Sequence, residues 1–127
     1  MKVELNHTIV HATDKRASAQ FVTEILGIPM ADPWGPFQPV SLTNGVILEY
    51  LDSAEVHPQH YAFLIDDEDF DAIFARIQAA GVTFYADPFL HRPGEINHLY
   101  GGRGVYFHDP DGHVMEVFTH PYGPTPE

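Results

Sequence analysis

Cysteine is absent from this 127-residue chain, which excludes disulfides, thiolate metal ligands and a cysteine nucleophile. Basic residues are scarce as well: 6 Lys and Arg stand against 18 Asp and Glu, for a formal charge of −12. Nucleic acids and anionic membranes are bound through basic surfaces, so neither is an expected partner. No apolar run approaches the length of a membrane span, and the first ten residues, MKVELNHTIV, hold no signal-peptide core. A cytoplasmic location is the expectation. Hydrophobic residues at 44% and charged residues at 19% give an ordinary globular balance, and the length suits one domain. What is plentiful is histidine, with nine. Any metal would be held by imidazole and carboxylate, a donor set for Fe(II), Mn(II), Zn(II) or Ni(II).

Periodicity divides the chain into two similar cycles. Residues 3–10 read as a strand with Val3, Leu5, His7 and Ile9 on one face. Thr13 and Asp14 offer an N-cap for a helix running to about Leu26, with Ala17, Phe21 and Ile25 on its apolar side and Gly27 as its stop. Short extended pieces follow, broken by prolines and by the Asn44-Gly45 turn, after which residues 46–51 form a strand. The second cycle begins with a strand at 60–65. The acidic run Asp66 to Asp69 suits a helix N-terminus, and Phe70, Ile73, Phe74 and Ile77 supply that helix's apolar stripe up to Gly81. Strands at 82–85, 104–107 and 113–118 complete it, the last following the Asp111-Gly112 turn, and residues 121–127 read as a loose end.

The two cycles match in order and spacing. His7 precedes Gly27 by 20 residues, and His60 precedes Gly81 by 21. Each glycine leads into Ala-Asp-Pro-aromatic, at 31–34 and at 86–89. Each half ends on a turn glycine with a Glu four places beyond it: Gly45 to Glu49, and Gly112 to Glu116. The fold class this implies is α+β: two βαβββ modules, about 1–53 and 54–120, forming a curved mixed sheet within one domain over 1–127.

Duplication places a histidine on the first strand and a glutamate on the last strand of each half. His7, Glu49, His60 and Glu116 are therefore the candidate metal ligands. Glu116 sits among Val114, Met115, Val117 and Phe118, where an ionised carboxylate is expensive unless a cation faces it. A single strand histidine or glutamate usually faces water; repetition at matching places favours ligation, least so for Glu49.

With these residues the chain resembles the vicinal oxygen chelate superfamily of glyoxalases, fosfomycin-resistance transferases, bleomycin-binding proteins and extradiol dioxygenases. The likeness runs from Leu5-Asn6-His7 through His60-Tyr61-Ala62-Phe63 to Asp109-Pro110-Asp111-Gly112-His113-Val114-Met115-Glu116. It implies metal ligation by His7, His60 and Glu116, with Glu49 joining only in the glyoxalase manner. A narrower match to the extradiol dioxygenase signature runs through Ile96-Asn97-His98, Val105-Tyr106, the Asp109-Pro110-Asp111-Gly112 turn and Glu116. It implies that His98 and Tyr106 face the substrate as catalytic groups. The further catalytic histidine of that branch has no evident counterpart; His57 lies in what reads as a loop.

The resemblance implies a metal-dependent oxidoreductase, with Fe(II) the favoured ion. Its substrate would be a vicinal diol or another small molecule that binds through two oxygens. It further implies a homodimer, with His7 meeting His60 and Glu116 from the same chain or from a partner. Glyoxalase-type lyase or isomerase chemistry is the alternative enzyme reading, and a metal-free drug-binding resistance protein the alternative outside enzymes. Arg103 is open to two roles, as an attractor for an anionic substrate or as a surface residue. His11, His91, His108, His113 and His120 are expected at the surface or behind the ligands.

Overall fold

The computed structural model describes residues 1–121, so the expected loose end at 121–127 lies outside the described residues but for Pro121. The chain divides into two compact units, one of residues 1–57 and one starting at Pro58. Each is a mixed sheet with one helix.

The first unit runs β1 (His7–Ala12), α1 (Lys15–Leu26), β2 (Gln38–Ser41) and β3 (Ile47–Asp52), in sheet order β1-β3-β2. The helix begins where its cap is: the Asp14 carboxylate accepts the Ala17 N–H, satisfying one of the orphan donors of the first turn. It ends at Gly27, whose φ of 73° suits a residue without Cβ. Asp14→Ala is expected to cost about 1 kcal/mol of stability, read as a lower midpoint in denaturant; an unchanged midpoint would deny the cap any weight.

Three expectations shift in this unit. The first strand begins at His7 rather than Val3, because its parallel partner β3 begins only at Ile47, opposite His7. Val3 and Leu5 are left 84% and 67% exposed. The buried side of α1 is Ser18, Ala19, Val22, Thr23 and Ile25, with Ala17 exposed. The second strand of the repeat is missing between α1 and β2. Pro29 and Pro33 remove backbone donors there, and the segment is held by a Trp34–Phe37 bridge and by Gln38 Nε2 donating to the Ala31 carbonyl. The first module is thus βαββ.

The second unit is the full βαβββ: β4 (His60–Leu64), α2 (Asp67–Ala79), β5 (Phe84–Tyr85), β6 (Gly104–His108) and β7 (Val114–Phe118), in order β4-β7-β6-β5. Asp67, Glu68 and Asp69 occupy the first turn of α2, where the helix dipole favours negative charge. The strand expected at 82–85 keeps only its last two residues.

Strand alternation sorts each sheet into two faces. In the second unit Phe63, Met115, Val117, Val105 and Phe107 form the core face with Phe70, Ile73 and Ile77 of α2, all buried. In the first, Val10, Ala12, Leu48, Tyr50 and Val40 do the same beside α1. The histidines and glutamates of the repeat fall on the other face.

Candidate metal centre

Register decides what that other face holds. In the second sheet β4 runs parallel to β7 with His60 opposite Val114 and Ala62 opposite Glu116, while antiparallel β6 sets Tyr106 directly across from Glu116. His60, Glu116 and Tyr106 therefore share one face, together with His108, opposite Val114, and Tyr85, opposite Tyr106. The His60 and Tyr106 rings meet edge to face at 5.9 Å, and those of Tyr85 and His108 at 6.5 Å.

His60 and Glu116 are in contact, with Nε2 and Oε1 3.0 Å apart. Glu116 is 1% exposed, whereas the His60 side chain is 43% exposed. This pair fits a metal ion. Two donors each about 2.1 Å from an ion and at right angles around it stand about 3.0 Å apart. The buried carboxylate supplies negative charge in an apolar strand, where a cation offsets its desolvation. Coordination through Nε2 would need that nitrogen free of a proton.

The first unit repeats the placement. His7 lies opposite Ile47, and Glu49 opposite Ile9, on one face of β1 and β3. His7 is exposed, with Nδ1 2.8 Å from Asn6 Oδ1, and Glu49 Oε1 is buried without a hydrogen-bond partner. Asp66, Glu68 and Asp69 also bring carboxylate oxygens within 4.8 Å of one another, but they are exposed at the start of α2, where the dipole accounts for them.

His98 is exposed at the start of a 3₁₀ turn, Leu99–Gly101, while Tyr106 is 3% exposed. The loop carrying His98 is anchored at its neighbour. Asn97 exchanges backbone hydrogen bonds with Gly104, donates Nδ2 to the Ala86 carbonyl at 2.8 Å, and accepts the Leu99 N–H. Leu90, Arg92 and Tyr100 of the same loop hold positive φ of 62°, 52° and 55°, a conformation that costs free energy outside glycine. A Cβ on Gly104 would stand 2.9 Å from Asn97 Oδ1. Gly104→Ala is therefore expected to free the loop, read as faster proteolysis within residues 88–102 at unchanged far-ultraviolet dichroism; unchanged cleavage would count against Asn97 as the anchor.

Two residues left open between alternatives are decided. Arg103 is committed to α2: it donates to the Asp67 and Asp71 carboxylates and to the Asp67 carbonyl, and it lies 4.4 Å over the Phe70 ring. A substrate anion would have to displace two carboxylates. His113 is 1% exposed, which places it behind the ligand strands rather than at the surface. It neighbours Asp109, whose carboxyl burial pushes above the usual range against the N–H groups that stabilise its charge. Burial, and secondly Asp109, likewise raise the Tyr61 hydroxyl.

Two mixed sheets with a His–Glu pair on one face of each define a familiar class. The chain belongs to the Glyoxalase/Bleomycin resistance protein/Dioxygenase superfamily, whose sequence profile matches residues 4–117. Among curated proteins it is 30% identical to the glutathione transferase FosA of Serratia marcescens, over 92% of this chain and 81% of that one. Among solved structures it is similar to oxidase ChaP-H2, with 59% identity, 97% and 98% of the two chains covered and a TM-score of 0.95. Oxidase ChaP-H1 is 55% identical over 97% and 100%, with a TM-score of 0.94. Among the described residues no helix is long and apolar enough to cross a membrane.

Proposed function

We propose that this protein is a metal-dependent oxidase related to extradiol dioxygenases, acting on a vicinal diol or another small molecule that binds through two oxygens. His60 and Glu116 hold the ion with His7, which comes from the same chain or from a second copy in a homodimer. Fe(II) is the favoured ion. The observation that carries this reading is the His60–Glu116 pair, 3.0 Å apart, with Tyr106 directly across from the carboxylate. The 59% and 55% identity to two proteins named as oxidases supports the oxidative chemistry.

Bound there, the ion would supply open positions for two substrate oxygens and for O₂, and a positive charge that eases loss of the substrate's first proton. Glu116 gives the centre its negative charge from a dry site, so the attraction is not spent on water. Tyr106, with its ring against His60, can hydrogen-bond an oxygen atom of the bound substrate. His98, exposed at the start of the 3₁₀ turn, is the base for the second proton in this reading.

The test is oxygen uptake by protein loaded anaerobically with Fe(II) and offered a panel of catechols and other vicinal diols. Uptake that needs both metal and diol is the expected result, with kcat falling about 100-fold in Tyr106→Phe. The second reading, lyase or isomerase chemistry of the glyoxalase kind, is favoured by the buried, unpartnered Glu49 Oε1, which could be a fourth donor. Turnover of a hemithioacetal without oxygen uptake, and loss of metal in Glu49→Ala, would put that reading in place of the first. Tight binding of an aromatic drug by protein that takes up no metal would replace both with a resistance-type binding role.

A further inference from the structure

We infer that His113 is a positioning residue for the metal centre, its imidazole holding the start of β4 to the start of β7 so that His60 stands at coordinating distance from Glu116. The inference rests on the reading of His60 and Glu116 as ligands. His113 follows the Asp111-Gly112 turn and immediately precedes β7. Its Nδ1 accepts the backbone N–H of Gln59 at 2.9 Å, a role that belongs to a ring nitrogen without a proton. The Gln59 carbonyl in turn accepts the Val114 N–H at 2.8 Å. The residue just before His60 is thus bonded twice to the residues that lead into the Glu116 strand.

The other sequence neighbour of His60 is held by the same ring. Tyr61 meets the His113 imidazole edge to face at 5.6 Å, and Tyr61 pairs with Met115 on the side of β7 opposite Glu116. His113 therefore grips both flanks of His60 from behind the sheet. Its own place is set by Asp109, whose Oδ1 accepts the N–H groups of Asp111 at 3.0 Å and His113 at 2.9 Å. Asp109 N–H completes the turn by donating to the His113 carbonyl at 3.0 Å. A metal ligand needs its orientation fixed to a few tenths of an ångström, and partners behind the ligands commonly supply that.

The experiment compares two replacements in titrations with Mn(II) and Zn(II), alongside backbone amide exchange at Gln59. His113→Leu keeps a buried apolar side chain but removes the acceptor; His113→Asn puts an amide oxygen at about the place of Nδ1. Expected are a metal affinity weakened about 10- to 100-fold in His113→Leu, with faster Gln59 exchange, and near-normal values of both in His113→Asn. Where leucine disturbs the core, Gln59→Pro removes the donor from an exposed position and is expected to give the same loss. Wild-type affinity in His113→Leu and Gln59→Pro would overturn the inference, as would equal weakening by leucine and asparagine. Glu116→Gln in the same titration separates the two levels. If it too keeps the metal, the ligand reading falls and takes the inference with it; if it alone loses the metal, only the inference falls.

Discussion

Glu116→Gln is expected to strip the metal from the protein while leaving it folded. The exchange keeps the shape of the side chain and removes its charge. Loss of a partner behind a ligand already costs 10- to 100-fold in affinity, so loss of the only carboxylate in the proposed set should cost more than about 100-fold. Activity should fall with it. Stability without metal should hardly move. Glu116 is 1% exposed, and an amide of the same shape leaves no cavity and can still accept from His60. The chelator-treated variant is therefore expected to unfold at about the same denaturant concentration as chelator-treated wild type. Metal analysis and denaturant titration, run on one preparation, read both effects. A variant that keeps full metal stoichiometry removes Glu116 from the centre; one that binds no metal and is also grossly unfolded makes its role structural.

The largest loss of stability is expected from Phe70→Ala. Phe70 is 1% exposed at the base of α2. Its ring stacks on Phe74 at 5.8 Å and carries the Arg103 guanidinium 4.4 Å above it. Removing it empties a cavity where Arg103 ties α2 by charge to the segment leading into β6. Phenylalanine-to-alanine changes at such sites cost about 3–5 kcal/mol, a large share of a small domain's stability. Arg103 would lose the face it lies on, but not Asp67 or Asp71. Phe70→Leu, which refills most of the volume, is expected to recover most of the loss. Equilibrium unfolding of both variants decides this. If alanine and leucine are equally harmful, the aromatic face under Arg103 matters more than the volume.

Local rules made several features legible before any fold was in view. Asp14 and Gly27 bound α1 because caps act on the nearest turn of backbone alone. The Asn44-Gly45 and Asp111-Gly112 turns form as read, each glycine at positive φ. The repeat was also readable, and the sheets honour it to the residue: His7 stands two places before the partner of Glu49, as His60 stands two before the partner of Glu116. What failed depended on a partner far along the chain or on backbone donors missing within the segment itself. Strand β1 starts at His7, since pairing requires β3 alongside, not strand propensity alone. The short strand after α1 is lost where two prolines lack donors, although the Ala-Asp-Pro-aromatic pattern was present in both halves. Arg103 stayed open between two roles because nothing nearby in sequence shows that α2 brings two aspartates to it.

The amino-acid order by itself determined the class of fold, the helix ends, the turns and the residue types able to bind a metal, because propensity, capping and duplication are written in short windows. Only the tertiary structure decided that residues 56 apart in the chain would touch, as His60 and Glu116 do, or that His113 would be buried behind them. Parallel pairing of β4 with β7 sets both outcomes. Its register comes from matching whole faces of a sheet, a choice that no local stretch of the chain contains.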